Sequence, residues 1–282
     1  MSRRPQILVT NDDGIDSLGL HALACAVAEH GDVTVVAPDQ EFSGSSSAIG
    51  SIFDIKPEAH RRLIPDLPGS NNVWAVNGPP ALCVLFARMG AFPVQPDIIV
   101  SGINPGANVG RSVYHSGTIG ACLTGRNGGV PGIAVSQALQ KYITTGQSWD
   151  EAIAAIDWTT AATIAAAATK PLLESPMPEP GVLNLNIPDK PLGEIDSMMW
   201  TTVAVHPPEE TTAAQLIPIA GHTNSYEVKI NWGTKWTGEP GSDVAAVADG
   251  LLSATWVGHL RGMTDVTSPI DFSHLGIDSP VS

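Results

Sequence analysis

The feature that most constrains the fold is an alternation of short apolar segments with helix-like segments across residues 1–190. "ILVT" and "DVTVVAP" have the composition of buried strands, and between them Leu20, Leu23 and Val27 recur at helical spacing. Two strands joined through a helix form a parallel pair, and a parallel sheet needs helices on both faces. The alternation therefore predicts an α/β fold with a Rossmann-like, doubly wound, mostly parallel sheet.

The alternation continues downstream of these elements. "PDIIVSGIN", "PGIAVS" and "GVLNLNIP" are predicted strands, and "SGTIGACLTGR" is a predicted helix. Residues 149–169 are alanine-rich and predict one long helix. The prolines of "PPALCVLFARMG" favour a helix start, and the spacing that follows predicts a buried face of Leu82, Leu85, Phe86 and Met89.

The character of the chain changes near residue 190. Residues 191–282 contain many prolines, threonines and glycines together with four of the seven tryptophans, and "YEVKINW" alternates like an exposed strand. This part is too short and loop-rich to hold much core by itself. We therefore predict a Rossmann-like core at 1–190 and a β-rich extension at 191–282 that packs against a second subunit.

Composition excludes several classes of function. The formal net charge is -14, which opposes binding to long nucleic acids because that binding relies on clustered Lys and Arg. The three cysteines lie far apart, so a disulfide framework and a zinc site are both disfavoured. The basic N-terminus "MSRRPQILVT" has an apolar stretch of only three residues, so no signal peptide is predicted, and no uninterrupted apolar run has the length of a membrane span. We expect a cytoplasmic protein without a membrane partner.

Three polar segments follow predicted strands and a fourth opens a predicted helix; a doubly wound sheet binds its ligands beyond the carboxyl ends of its strands. The four segments are residues 11–14, 41–47, 101–108 and 116–118. Each has an ordinary reading as a turn, a flexible loop or a helix cap. Their convergence on one edge of the sheet favours a functional site instead.

Oxygen ligands are the common chemistry of these segments. Asp12 and Asp13 are adjacent carboxylates that repel each other, Ser43 carries a hydroxyl and Asn104 an amide oxygen. Such a set suits one divalent cation, Mg²⁺ or Mn²⁺. Backbone N–H groups at Gly117 and Thr118, at a positive helix end, suit a phosphate. The sequence therefore predicts metal-assisted hydrolysis of a small phosphorylated substrate.

Longer motifs carry a family resemblance. "ILVTNDDGIDSLGLHALACAV", "VTVVAPDQEFSGSSSAI", "PDIIVSGINPGANVG", "SGTIGACLTGRNGGVPGIAVS", "GVLNLNIPD" and "SDVAAVADGLLSATW" resemble the SurE family, in the same order. The resemblance implies a metal-dependent 5'/3'-nucleotidase that acts on nucleoside monophosphates. It also implies a Rossmann-like fold whose C-terminal portion exchanges elements between the subunits of a dimer or tetramer.

The resemblance assigns roles to individual residues. By motif the ligands of one metal ion per subunit are Asp12, Asp13, Ser43 and Asn104, and catalysis falls to Asp12, Asp13 and Asn104. We place substrate or phosphate contacts at a further six positions. These are Asn11, Gly44, Asn108, Ser116, Gly117 and Thr118.

Several positions depart from the family pattern. Leu82 and Thr124 stand where acids are usual, and Arg111, Ser112 and His115 alter the segment before "SGT". His115 is either a general acid or a replacement for a tyrosine, and Arg111 either binds a second anionic group or faces solvent. These departures leave two alternatives open: a phosphatase with a shifted, non-nucleotide substrate, and a nucleotide-binding or assembly protein with little turnover.

One rival comes from another class of protein. Phosphorelay receiver domains also place adjacent acids after their first strand to hold Mg²⁺. They need an acceptor aspartate at the end of the third strand, where this chain has Ser101. They are also much shorter than this chain, so a receiver domain is disfavoured.

Overall fold

The computed structural model describes residues 3–50, 56–69, 72–139, 149–175, 181–205, 213–231 and 238–258. Within them a nine-stranded sheet and a separate two-stranded sheet are present. The strands are β1 (Gln6–Thr10), β2 (Asp32–Pro38), β3 (Ala59–Arg61), β4 (Val73–Val76), β5 (Ile98–Pro105), β6 (Gly132–Ala138), β7 (Val182–Pro188), β8 (Met198–Thr201), β9 (Ala213–Pro218), β10 (Tyr226–Asn231) and β11 (Leu252–Val257). The helices are α1 (Leu18–Val27), α2 (Pro80–Arg88), α3 (Gly117–Arg126), α4 (Trp149–Ala154), α5 (Thr159–Glu174) and α6 (Asp243–Ala248), with short 3₁₀ helices at Gly110–Tyr114 and Leu192–Glu194.

The main sheet has the strand order β3-β4-β2-β1-β5-β6-β7-β11-β8. The six strands from β4 to β7 are parallel, β11 runs antiparallel to β7, and β3 runs antiparallel to β4. The chain passes from β1 to β2 on one side and reaches β5 on the other, so the strand order reverses between β1 and β5. Doubly wound sheets bind ligands at that reversal, beyond the carboxyl ends of the strands.

Two hydrophobic cores cover the two faces of this sheet. One packs α1 and α5 against it, with Leu20, Leu23 and Ala165 fully buried. The other packs α2 and α3 against the opposite face, with Cys83 and Ile119 fully buried. The predicted α/β class, with a doubly wound and mostly parallel sheet, is confirmed.

The predicted apolar face of α2 is partly wrong. Leu82 is buried, but Leu85 and Phe86 are only half-buried and the side chain of Met89 is 73% exposed. The helix packs against both the sheet and the neighbouring helix α3, so it buries more than one side. Its buried residues are Pro80, Ala81, Leu82, Cys83, Val84 and Ala87.

The predicted single helix at 149–169 is also wrong, because the structure divides it into α4 and α5. The Asp157 carboxylate accepts a hydrogen bond from the backbone N–H of Thr159 at 2.9 Å and starts a new helix there. Trp158, at the junction, is buried against the core. A local side-chain turn at Asp157 and a buried aromatic side chain therefore outweigh the helix propensity of the alanines.

The region after residue 190 divides into two parts. Strands β8 and β11 extend the main sheet, so the boundary near 190 marks a change of topology and not a break in the sheet. Strands β9 and β10 pair only with each other, and every residue in both strands is exposed. Part of the region, at 206–212, 232–237 and 259–282, lies outside the described residues. No helix in the described part of the chain is long and apolar enough to cross a membrane.

Candidate active site

The turn after β1 is built by Asn11. Its side-chain amide donates to the Gly14 carbonyl at 3.0 Å, and its Oδ1 accepts from the Gly14 N–H at 3.3 Å. Gly14 has φ 103°, a backbone conformation that is unfavourable for any residue with a side chain. This closed turn holds the two acids between Asn11 and Gly14 in fixed positions at the carboxyl end of β1.

Asp12 lies under the start of α3. The Thr118 hydroxyl donates to Asp12 Oδ1 at 2.6 Å, and the N–H groups of Thr118 and Gly117 also stabilise the carboxylate. Burial nevertheless raises the pKa of Asp12 above the ordinary value of an aspartate, because it outweighs these hydrogen bonds. A Cβ on Gly117 would lie 2.7 Å from Asp12 Oδ2, so only glycine allows this approach.

Asp13 has a carboxylate oxygen without a partner. Its Oδ2 is buried and has no hydrogen bond. Burial raises the pKa of Asp13 well above its ordinary value, and the negative charges of Asp12 and Glu41 raise it further. A buried, unpaired carboxylate oxygen beside two like charges is unfavourable without a cation.

Asn104 reaches the same edge through a bulge in β5. Between Ser101 and Asn104 the strand has one more residue than its partner β6, in which Ala134 and Ser136 are opposite them. Gly102 lies in this bulge with φ 134°, and a Cβ there would lie 2.3 Å from the Val135 carbonyl oxygen. The Asn104 amide donates to the Gly106 carbonyl at 2.7 Å, which leaves Oδ1 as its free acceptor atom. Bulges of this kind often redirect a side chain at an active site.

Ser43 is carried by the loop after β2. Its hydroxyl donates to Glu41 Oε1 at 2.7 Å, so the lone pairs of its oxygen remain available. The Phe42 N–H donates to the Asp12 carbonyl at 2.7 Å, and the Ser46 N–H donates to the His115 carbonyl at 3.0 Å. The loop is therefore fixed both to the acidic turn and to the segment before α3.

Three of the four predicted ligands, Asp13, Ser43 and Asn104, line one cleft of about 290 Å³. Asp12 lies beside it, adjacent to Asp13. The lining of the cleft includes four acidic residues, Asp13, Asp16, Asp39 and Glu41, and four apolar residues, Ile15, Pro105, Ile153 and Trp158. Among the described residues that line it there is no Lys or Arg. The unpaired oxygen of Asp13 and the oxygen-only donor set fit a hard divalent cation.

None of the six residues predicted to contact phosphate lines this cleft, although several of them contact its predicted ligands or the loops that carry these. Ser116 caps α3 by accepting from the Ile119 N–H at 3.1 Å, and Gly117 and Thr118 contact Asp12. Gly44, with φ 79°, is exposed in the loop of Ser43. Both polar atoms of the Asn11 side chain form hydrogen bonds within the turn to Gly14.

Asn108 lies in a buried polar network behind the cleft. Its N–H donates to Asn186 Oδ1 at 2.8 Å and its side-chain amide donates to the Ser136 hydroxyl at 2.9 Å. Its carbonyl accepts from the side chains of Asn184 and Asn186. The loop after β5 is thereby attached to β6 and β7.

Sequence reasoning did not assign a role to Asp243. This fully buried carboxylate begins α6 and accepts from the N–H of Gly110, two residues after Asn108. Burial raises its pKa, although backbone N–H groups lower it in part. The only signal in the sequence is its place in "SDVAAVADG", which is typical of a helix start.

The positions that depart from the family pattern lie away from the cleft lining. Leu82 is buried in α2, and the Thr124 hydroxyl donates to the Gly120 carbonyl within α3. Arg111 and His115 are exposed near the 3₁₀ helix Gly110–Tyr114, and Ser112 stabilises that helix through Val109. The departures therefore change the surroundings of the site and leave its oxygen ligands in place.

Fold and site together define a doubly wound α/β protein with a cleft at the strand-order reversal that carries the predicted oxygen ligands. The family model described as survival protein SurE matches residues 7–210, and the chain belongs to this family. "5'/3'-nucleotidase SurE" of Escherichia coli O127:H6 is 32% identical over 254 residues, which cover 89% of this chain and 88% of that protein. The protein of the same name from Shigella boydii serotype 18 has the same identity and coverage.

A solved structure has the same fold. The crystal structure of the SurE protein from Aquifex aeolicus matches with a TM-score of 0.71 and 29% sequence identity. The match covers 90% of this chain and 93% of that chain. The family resemblance seen in the sequence is confirmed.

Proposed function

We propose that this chain is a metal-dependent phosphoric monoester hydrolase of the 5'/3'-nucleotidase type, which releases phosphate from nucleoside monophosphates. The observation that carries the proposal is the buried, unpaired Oδ2 of Asp13 in a cleft that also presents oxygens of Ser43 and Asn104. Membership of the SurE family, whose curated relatives are named 5'/3'-nucleotidase, supports the same reaction.

The four oxygen ligands would hold one Mg²⁺ or Mn²⁺ per subunit. Asp12 and Asp13 contribute negative charge, and the hydrogen bonds to Thr118, Glu41 and Gly106 orient the remaining ligand atoms. A divalent ion at such a site polarises a phosphoryl oxygen and lowers the pKa of bound water. The acidic lining of the cleft requires that positive charge, because a phosphate would otherwise be repelled.

The shape of the cleft suits a small phosphorylated substrate. The reacting phosphoryl group belongs next to the ligand oxygens. Ile15, Pro105, Ile153 and Trp158 line the same cleft, and apolar lining of this kind suits the sugar and base of a nucleotide. In this proposal Ser116, Gly117, Thr118 and Gly44 lie beside the phosphate position, and the N–H groups of Gly117 and Thr118 act by stabilising the Asp12 carboxylate. Asn11 and Asn108 support the site by fixing the loops that carry the ligands.

Self-association is part of the proposal. The hairpin of β9 and β10 exposes Leu216, Ile217, Tyr226, Val228 and Ile230. An isolated two-stranded hairpin has marginal stability in water, and a continuous exposed apolar surface favours a protein contact. We propose that the hairpin packs on another copy of the chain in a homodimer or homotetramer.

Phosphate release from a panel of 5'- and 3'-nucleoside monophosphates tests the function. The chelated protein is expected to be inactive, and added Mn²⁺ or Mg²⁺ is expected to restore turnover. Full activity after exhaustive chelation would refute the proposed site. Nucleotide binding without phosphate release in the presence of either metal would show that the chain is a nucleotide-binding or assembly protein with little turnover. Turnover confined to other phosphate esters would establish the shifted substrate.

A further inference from the structure

The carboxylate of Asp243 is buried without a cationic partner among the described residues. Its exposed fraction is 0%, and its neighbours are backbone N–H groups. Oδ2 accepts from Gly110 at 2.9 Å, and Oδ1 accepts from Ala204 at 2.9 Å and from Val244 at 2.8 Å. Burial of a charge is costly unless such hydrogen bonds compensate it. These contacts connect three segments that are distant in the sequence.

Helix capping alone does not account for Asp243. The Ser242 hydroxyl already caps α6 by accepting from the Ala245 N–H at 3.2 Å. Of the three donors to Asp243, only Val244 belongs to α6; Gly110 lies in the loop after β5 and Ala204 follows β8. The side chain therefore serves mainly to hold these two distant segments.

The segment that begins at Gly110 leads directly to the predicted ligands. Ser112 accepts from the N–H groups of His115 and Ser116 through its carbonyl, which makes the intervening turn compact. The His115 carbonyl then accepts from Ser46 in the loop of Ser43.

The same segment ends at the start of α3. There the Thr118 hydroxyl donates to Asp12 at 2.6 Å. A shift at Gly110 would therefore be transmitted to two predicted ligands, Asp12 through α3 and Ser43 through its loop.

We propose that Asp243 is a positioning residue for the divalent-cation site, acting through the Gly110 N–H on Asp12 and Ser43. The inference rests on the proposed function, since it assigns a support to that site. Asp243 touches neither the cleft nor a ligand atom, so its effect appears in cation affinity.

The test compares Asp243→Asn with Ser242→Ala in the full chain. The first variant has nearly the same shape, but its amide group turns an N–H toward one of the three backbone donors. The second removes a hydrogen bond from the same helix start without touching Gly110 or Ala204. Mn²⁺ binding to the chelated protein is measured by calorimetry, and folding by thermal unfolding.

We expect Asp243→Asn to raise the Kd for Mn²⁺ by about tenfold, the order expected from losing one charge-assisted hydrogen bond. Ser242→Ala is expected to stay within about twofold, because among the described residues the Ser242 hydroxyl bonds only to the Ala245 N–H within α6 and not to the segment of Gly110. A folded Asp243→Asn protein with wild-type affinity overturns the proposal, as does an equal loss in Ser242→Ala. If wild-type protein binds no Mn²⁺, the proposed function fails together with this inference.

Amide hydrogen exchange of the wild-type protein gives a second measurement that needs no variant. The Gly110 and Ala204 amides are expected to exchange slowly, as buried and bonded amides do. Exchange of the Gly110 amide at the rate of an exposed amide would overturn the proposal even if Asp243→Asn does not fold.

Discussion

At the scale of single residues, the site brings together buried carboxylate oxygens whose mutual repulsion is unfavourable unless a cation is bound. Asp12 is buried and has hydrogen bonds to Thr118, but Asp13 keeps a buried oxygen without a partner. Replacing either by Asn should lower turnover at least ~10²-fold, the cost of removing one strong electrostatic contact in a transition state. The control is Asp16→Asn, which removes a lining acid that pairs with Arg62. Wild-type turnover in Asp12→Asn and Asp13→Asn at limiting metal would show that the acids only form a turn.

The same residues make a prediction about stability. Burial, Asp12 and Glu41 raise the pKa of Asp13, so the native state binds this proton more strongly than the unfolded state does. The metal-free protein therefore gains stability as the pH falls from neutrality toward the ordinary pKa of an aspartate, and it loses that gain as the pH rises. Asp13→Asn removes the charge, and we expect its metal-free Tm at pH 7 to rise by about 2–4 °C. A shift of this size corresponds to a gain of ~1 kcal/mol in the free energy of unfolding for a domain of 150–250 residues. An unchanged or lower Tm in calorimetry would contradict this account of Asp13.

At the scale of elements, the start of α3 positions Asp12. A Cβ at Gly117 would lie 2.7 Å from Asp12 Oδ2 and 2.9 Å from Ser45 Oγ. Gly117→Ala should therefore displace the carboxylate and lower turnover by about 10²-fold, as a misplacement of about 1 Å does. Gly193→Ala is the matched control, because a Cβ there meets nothing within 4 Å. Equal rates for the two variants would show that α3 does not set the position of Asp12.

The elements also show what the sequence alone could predict. The position of Asp12, Asp13 and Asn104 near carboxyl ends of neighbouring parallel strands follows from the β-α alternation, because such ends meet at one edge of the sheet. The break between α4 and α5 depends on the turn that the Asp157 side chain forms with Thr159 and on the burial of Trp158, neither of which follows from local helix propensity. The link from Asp243 to Gly110 spans 133 residues and depends on the tertiary fold.

At the scale of the whole molecule, the two cores make a prediction about thiol reactivity. Cys83 and Cys122 are fully buried, on the α2 and α3 side of the sheet, and burial raises the pKa of both thiols. Cys25 is half-buried, and burial together with Asp66 raises its pKa as well. A disulfide reagent should modify Cys25 slowly and the other two only after unfolding, since the thiolate is the reactive form. Rapid modification of all three cysteines in native protein would contradict the packing around α2 and α3.

Assembly is the second property at this scale. Leu216 and Val228 face each other across the β9–β10 pair, and both are exposed. Leu216→Glu with Val228→Glu should shift the mass measured by light scattering from an oligomer toward a monomer, because two buried charges oppose an apolar contact. The control exchanges two residues of the same hairpin that are already polar, Gln215→Glu with Asn231→Asp. A wild-type monomer at micromolar concentration, or an unchanged mass in the first variant, would contradict the proposed contact.

The central claim is that one divalent cation, held by Asp12, Asp13, Ser43 and Asn104, is required for phosphate release. Its most direct test titrates chelated protein with Mn²⁺ and measures bound metal and phosphate release from a nucleoside monophosphate in the same samples. We expect activity to rise in proportion to occupancy and to reach its plateau at one ion per chain, with both signals lost in the Asp12→Asn, Asp13→Asn double variant. Full activity before any Mn²⁺ is bound, or unchanged Mn²⁺ binding in the double variant, would contradict the claim.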